Sequence, residues 1–148
     1  MLSDTLISLF ERDLNKVIEE LNLYQSESNI WKVEGNISNS AGNLALHLIG
    51  NLKTYIGKEI GNFDYVRNRD LEFADKNVPR AEMVADLNDT VVIIKNSLKS
   101  VSDKELKKDY PLLVLGEKTS TEYFLVHLAS HLNYHLGQIN YHRRLVEK

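Results

Sequence analysis

Apolar residues recur at steps of three and four in four separate stretches of this sequence, and no other feature constrains the fold as strongly. The third stretch is the clearest, and its repeating positions are Val84, Leu87, Val91, Ile94, Leu98 and Val101. This spacing matches the 3.6-residue period of an amphipathic α-helix, whereas a half-buried strand alternates with a period of two. Four helices with one apolar face each predict an all-α protein, a four-helix bundle.

Helix-capping residues and glycines indicate where these helices begin and end. The predicted helices cover, in order, about residues 3–25, 38–61, 79–101 and 119–146. The last begins at Thr119-Ser-Thr-Glu122, which has the form of a capping box. The connections are roughly 12 to 20 residues long, more than neighbouring antiparallel helices need. Residues 62–78 are therefore a candidate lid or pocket wall, and residues 110–118 are either a small hairpin or an extended loop.

Composition narrows the class of protein. At 148 residues the chain has the size of one domain, so residues 1–148 are predicted to form a single domain. No window approaches the ~18 uninterrupted apolar residues of a membrane span, and no signal peptide is visible, which favours a cytoplasmic location. The net charge of −3 and the absence of a basic stripe argue against nucleic-acid binding. The chain has no cysteine, so thiolate metal sites are excluded.

Histidines are concentrated in the last predicted helix, which contains four of the five in the chain. Residues four apart on a helix project from one face with Cβ atoms about 5–6 Å apart, so His131 and His135 can share a metal ion. His127 and His131 have the same spacing and form a rival pair. The fifth histidine, His47, lies in the second helix one turn after Asn43, and it would complete a three-histidine set.

Interpretations without a metal are also compatible with these residues. His47 alone is typical of a core histidine bonded to a backbone carbonyl, and a histidine stripe also suits a solvent-facing strip. His142 lies near the C-terminus of the last helix, where a positive charge complements the helix dipole. Tyr134 and Tyr141 are interpreted as packing residues. The metalloprotease signature H-E-x-x-H is absent, and the last helix offers no convincing acid–base carboxylate.

Together these residues resemble the DinB/YfiT-like superfamily. The resemblance rests on one histidine in the second helix and H-x-x-x-H-x-G-Q in the last, here Leu-Ala-Leu-His47-Leu-Ile-Gly-Asn and His131-Leu-Asn-Tyr-His135-Leu-Gly-Gln138-Ile. It covers essentially the whole chain and implies a four-helix bundle of DinB/YfiT-like type with long connections. It further implies that His47, His131 and His135 hold a divalent metal ion. Zinc or nickel is the ion expected, while three histidines also accommodate iron or manganese.

The resemblance also implies an activity. Characterised members include bacillithiol S-transferases and a mycothiol-dependent maleylpyruvate isomerase, in which the metal is thought to bind the thiol of a low-molecular-weight cofactor. We therefore expect a metal-dependent enzyme with thiol S-transferase-like or hydrolase-like chemistry on a small electrophile. Gln138, Asn43 and His127 are candidates for bonding the metal ligands or contacting substrate.

Two other interpretations compete with the enzyme. One is a non-catalytic metal-binding bundle that acts in sensing or assembly, with the ion tying the second helix to the fourth. A fourth protein ligand that closes the coordination shell would favour this non-catalytic interpretation, and His127 is the candidate for it. The other is a helical interaction module without metal, which predicts histidines that face solvent. Members of the superfamily often pair as homodimers, and the amphipathic first helix would be available for such pairing.

Overall fold

The regular structure of this protein is entirely helical. The computed structural model describes residues 1–148 and contains, in chain order, α1 (Leu2–Leu23), α2 (Ala41–Leu52), α3 (Arg69–Ala74), α4 (Arg80–Leu98), α5 (Asp103–Leu106) and α6 (Thr121–Val146). A 3-10 helix, Glu27–Trp31, follows α1, and a π-helical segment, Lys53–Lys58, continues α2. The all-α prediction is confirmed. None of the helices combines the length and apolarity needed to cross a membrane.

The core lies between the four longest helices. Helix α1 packs against α4 and α6, and α2 packs against the same two helices. The predicted apolar face of α1 is buried throughout, at Leu6, Phe10, Leu14, Val17 and Leu21. Helices α2 and α6, which are in contact with each other, carry all five histidines of the chain.

The buried face of α4 differs from the predicted seam. Leu87 and Ile94 are buried as expected, but Val84 and Val91 are only half-buried. Thr90 is buried in place of Val91. Its burial is possible because the hydroxyl donates a hydrogen bond to the carbonyl of Asp86 at 2.7 Å and so needs no water as a partner. Counting apolar residues alone therefore placed the inward face of α4 slightly off its true direction.

Both ends of α6 are fixed to other parts of the chain. At its start, the backbone N–H of Thr121 donates to the carbonyl of Lys108 at 2.8 Å. Beyond its last turn, the Glu147 carboxylate accepts hydrogen bonds from the backbone N–H groups of Gln25 and Ser26 at 2.8 and 3.2 Å. The longest helix therefore has a fixed position along its own axis.

The structure decides two local predictions. The N-cap of α6 is Ser120, whose hydroxyl accepts from the backbone N–H of Tyr123. The capping box predicted at Thr119 is not formed, because the helix begins one residue later and Tyr123 then takes the position that a capping box gives to Glu or Gln. A complete capping box lies instead at Ser102 and Glu105, at the start of α5. The stretch 110–118 is an extended loop, with only one isolated antiparallel bridge joining the residues that flank it.

Candidate metal centre

Three histidines from two helices bring one ring nitrogen each to a common point. His131 Nε2 lies 3.3 Å from His47 Nε2 and 3.1 Å from His135 Nε2, and the ligand atoms of the three lie within 4.8 Å of one another. Neighbouring nitrogen ligands about 2.0–2.1 Å from one ion are separated by roughly 2.8–3.4 Å, from octahedral to tetrahedral geometry. The spacing of these nitrogens therefore suits a single metal ion. We call His47, His131 and His135 the histidine cluster.

Burial keeps His131 and His135 neutral, which is the protonation state that binds metal. Burial, with smaller contributions from His135 and His47, lowers the pKa of His131 to about 4. Burial also lowers the pKa of His135, against the opposing effect of a hydrogen bond to Gln138. At neutral pH both imidazoles therefore have a nitrogen lone pair available.

A buried carboxylate fixes the orientation of His47. Glu72 Oε1 lies 3.0 Å from His47 Nδ1, and Arg67 binds the same carboxylate through Nε at 2.8 Å and Nη2 at 2.9 Å. Burial alone would raise the pKa of the Glu72 carboxyl, but the hydrogen bonds from His47 and Arg67 outweigh it and lower the pKa. The carboxylate is thus an acceptor, so it selects the tautomer with the proton on Nδ1 and the lone pair on Nε2.

His135 has an equivalent acceptor on its own helix. Gln138 Oε1 lies 2.7 Å from His135 Nδ1, with the side-chain amide oriented by this bond. This contact also selects the tautomer with a lone pair on Nε2. Two lone pairs therefore face His131 Nε2, which has one proton at most and can satisfy only one of them. A cation at the common point satisfies all three nitrogens.

His131 is the one member without an acceptor behind it. Its Nδ1 is buried and has no hydrogen-bond partner. An unmet buried polar atom costs about 1–3 kcal/mol, so the surrounding structure must compensate for it. The donor set, the nitrogen spacing and the two fixed tautomers nevertheless fit a divalent ion.

The sequence identifies the family of the chain. Residues 4–148 match the family described as "Protein of unknown function (DUF1572)". The chain belongs to the DUF1572 family. Comparison with curated proteins finds no match. The DUF1572 match includes the whole histidine cluster, and the family description assigns no activity.

The other predicted site residues of this DUF1572 chain lie at the edge of the cluster. His127 stacks on His131 with ring centroids 6.2 Å apart and is outside the set of three converging ligand atoms. The Asn43 side chain makes no hydrogen bond to a histidine. Its side-chain amide donates to the backbone carbonyls of Glu72 and Asp75, both at 2.9 Å, and so holds the chain segment that carries Glu72.

Glu72 is the residue that sequence reasoning missed. It lies in α3, a six-residue helix with no visible apolar period, inside the segment predicted to form a lid or pocket wall. One signal for it exists in α2. A Cβ atom on Gly50 would overlap Glu72 Oε2, and a glycine inside a helix one turn after His47 indicates a close approach by another group.

Three other residues of α6 were given roles from the sequence. His142, predicted to complement the helix dipole, is a buried residue, with Nδ1 2.6 Å from the Tyr24 hydroxyl and Nε2 2.8 Å from the Lys32 carbonyl. The packing role predicted for Tyr134 and Tyr141 was wrong. Tyr134 and Tyr141 are each 65% exposed and do not pack into the core. The histidines of α6 therefore have different surroundings. His142 is a buried structural residue, whereas His131 and His135 are half-buried members of the histidine cluster.

A groove of about 650 Å³ runs beside the C-terminal half of α6. Its wall is the loop of residues 34–39, and Leu44, Tyr141 and Leu145 also line it. Gln138, which bonds His135, lines the groove as well, whereas no member of the histidine cluster does. The groove therefore adjoins the cluster through one amide side chain.

Proposed function

We propose that this DUF1572 chain is a divalent-metal-dependent enzyme with a DinB-like four-helix-bundle fold. The histidine cluster would hold the ion, zinc or nickel first and iron or manganese as alternatives. The chemistry is thiol S-transferase-like or hydrolase-like, with a small electrophile as substrate and a low-molecular-weight thiol as cofactor in the first case. The convergence of three Nε2 atoms, at separations of 3.1 and 3.3 Å, carries the proposal.

The number of ligands supports catalysis over a purely structural ion. Catalytic zinc sites have three protein ligands and an open position, whereas structural sites have four. His127 is the nearest candidate for a fourth ligand, and its ring is stacked beside His131 rather than directed at the shared point. Three imidazoles without a thiolate or carboxylate suit zinc, nickel or iron.

The ion would supply a nucleophile at neutral pH by lowering the pKa of a thiol or of a water molecule. The protein supplies the rest of the geometry. Glu72 and Gln138 hold the Nδ1 protons of His47 and His135, so that both Nε2 atoms are directed at the same point. Phe73 packs beside His47, with ring centroids 5.0 Å apart, and limits the access of water from that side.

No side chain is assigned as a general acid or base. Glu72 is the carboxylate bonded to the histidine cluster, and it is bound to the far nitrogen of His47 and to Arg67. Its oxygens are thus committed to other hydrogen bonds and are on the wrong side of the imidazole to reach a substrate at Nε2. This arrangement favours chemistry in which the metal does the activation.

A non-catalytic metal-binding bundle is the second candidate. The groove beside α6 favours it, because no member of the histidine cluster lines that groove. In this case the ion joins α2 to α6 and stabilises their contact, and the protein serves in sensing or assembly. The two functions predict the same metal content but differ in turnover.

Metal content is the first test. Plasma mass spectrometry of the purified, untagged protein is expected to find about one zinc or nickel ion per chain after reconstitution. His47→Ala and His135→Ala are expected to lose the ion, and His127→Ala, the matched control on the same helix, is expected to keep it. An absence of bound metal after separate reconstitution with zinc, nickel, iron and manganese would exclude both candidate functions.

Turnover then separates the two candidates. The metal-loaded protein would be assayed with low-molecular-weight thiols and a panel of small electrophiles, and with activated esters for hydrolysis. Loss of thiol or ester consumption in His135→Ala, with activity retained in His127→Ala, is the result expected of the enzyme. A fully loaded protein that turns over none of these substrates would support the non-catalytic bundle.

A further inference from the structure

The segment of residues 62–78 contacts the histidine cluster at His47, through Glu72 and Phe73, and has an unusual anchor. We call it the cover segment. Of its residues, Glu72 alone is buried, while the large apolar side chains Val66 and Leu71 are 87% and 46% exposed. Segments of globular proteins are normally held down by apolar side chains, because burial of such groups is the main favourable term. Here a carboxylate takes that place.

One face of α2 is shaped to receive this carboxylate. Asn43, His47 and Gly50 are spaced four and three residues apart and so lie on the same face of the helix. Asn43 holds the backbone of the cover segment, His47 donates from Nδ1 to Glu72, and Gly50 leaves the space that the carboxylate occupies. Any side chain at position 50 would displace Glu72.

Arg67 completes the anchor from within the cover segment. It pairs with both oxygens of Glu72, and its guanidinium lies over the ring of Tyr55 at 5.6 Å from the centroid. Removal of a carboxylate from water is costly unless it is paired and hydrogen-bonded. Arg67 and His47 together meet that requirement, so docking of the cover segment depends on the state of His47.

We propose that Glu72 is a positioning residue that couples docking of the cover segment to metal binding by the histidine cluster. A cation bound at His47 Nε2 withdraws electron density from the ring, and the Nδ1–H then donates a stronger hydrogen bond to Glu72. By linkage, docked Glu72 strengthens metal binding by the same factor. This inference rests on the proposed metal site. It adds that the bound ion and the docked cover segment stabilise each other.

Zinc affinity tests the coupling without an enzymatic assay. In a competition titration against a chromogenic chelator, Glu72→Ala is expected to weaken zinc binding by about 10–100-fold and Glu72→Gln by about tenfold. Glu72→Gln keeps the shape of the side chain, so it remains informative if Glu72→Ala unfolds. Glu20→Gln is the matched control, since Glu20 is a largely buried carboxylate paired with Arg143 and contacts no member of the cluster.

Hydrogen exchange provides a second measurement on the same proteins. Zinc is expected to slow backbone exchange in the cover segment of the wild-type protein by about fivefold or more, and to have no such effect in Glu72→Ala. Folded Glu72 variants that bind zinc as tightly as the wild-type protein would overturn the coupling while leaving the metal site intact. An equal loss of affinity in Glu20→Gln would overturn it too. Wild-type protein that binds none of zinc, nickel, iron and manganese would overturn both the coupling and the proposed function.

Discussion

The side-chain carbonyl of Gln138 lies 2.7 Å from Nδ1 of His135, one turn earlier on α6. In both this pair and the buried pair of Glu72 and His47, a side-chain oxygen accepts a hydrogen bond from Nδ1 of a histidine. The two acceptors differ in one respect. Glu72 is buried and charged, whereas Gln138 is neutral and exposed, so water can take its place when it is removed.

Substitution of Gln138 should therefore have a smaller effect than substitution of Glu72. Gln138→Ala is expected to weaken zinc binding by about tenfold or less, the low end of the range for residues that bond a metal ligand. Gln138→Glu supplies a stronger acceptor for the Nδ1 proton and is expected to bind zinc at least as tightly as wild type. The chelator titration measures both. Weaker binding by Gln138→Glu than by Gln138→Ala would mean that Nδ1 of His135 does not donate to this residue.

Acid is expected to destabilise the metal-free protein. Burial lowers the pKa of His131 to about 4 in the folded chain, and an exposed histidine in the unfolded chain titrates near 6.5. Between these values the unfolded chain binds more protons, so the free energy of unfolding falls as the pH decreases from about 6.5 to about 4. Urea unfolding in the presence of a chelator measures this slope. His131→Ala should reduce it, and an unchanged slope in that variant would assign the effect to other groups.

Substitution of two helical glycines by alanine should change the stability of the protein in opposite directions. Gly50→Ala is expected to destabilise the protein and weaken zinc binding, because the added Cβ overlaps the Glu72 carboxylate. Gly137→Ala meets no atom within 4 Å, so it should stabilise α6 by about 0.5–1 kcal/mol through reduced backbone entropy of the unfolded chain. Thermal unfolding and the zinc titration report both effects. Zinc affinity close to the wild-type value in Gly50→Ala would show that Glu72 can move without consequence.

The buried pair of Tyr24 and His142 should affect stability alone. Tyr24→Phe removes the hydroxyl that lies 2.6 Å from His142 Nδ1 and leaves a buried nitrogen without a partner. The expected loss is about 1–3 kcal/mol in the free energy of unfolding, measured by denaturant titration. Zinc affinity should stay within about twofold of wild type, since the pair lies outside the histidine cluster. A large loss of affinity would place His142 among the residues that support the site.

The long helices were predictable from sequence because each has a strong period and a definite start. The five buried apolar residues of α1 are the same five that the spacing of apolar residues selects. The short helices α3 and α5 were not predicted, since four to six residues are too few to show a period. The inward face of α4 was displaced because Thr90 is buried through a local hydrogen bond, which a count of apolar residues cannot register.

The histidine cluster was predictable in part. Spacing on one helix predicts that His131 and His135 share a face, but it gives equal weight to His127, and only the packing of α2 on α6 separates these alternatives. The supporting carboxylate of Glu72 could not be predicted from the sequence, because Asn43 and His47 hold its segment through contacts between residues far apart in the chain. Such contacts leave no periodic pattern in the chain.

Because both ends of α6 are fixed, the number of residues between them determines the direction in which each side chain of the helix points. Each residue turns an α-helix by about 100°, and the attachments at Thr121 and Glu147 prevent the helix from rotating or sliding to absorb a change in length. One residue inserted between Thr121 and His131 would swing His131 and His135 away from His47, even with every side chain of the cluster retained. The register of this one helix is as much a part of the site as the imidazoles it carries.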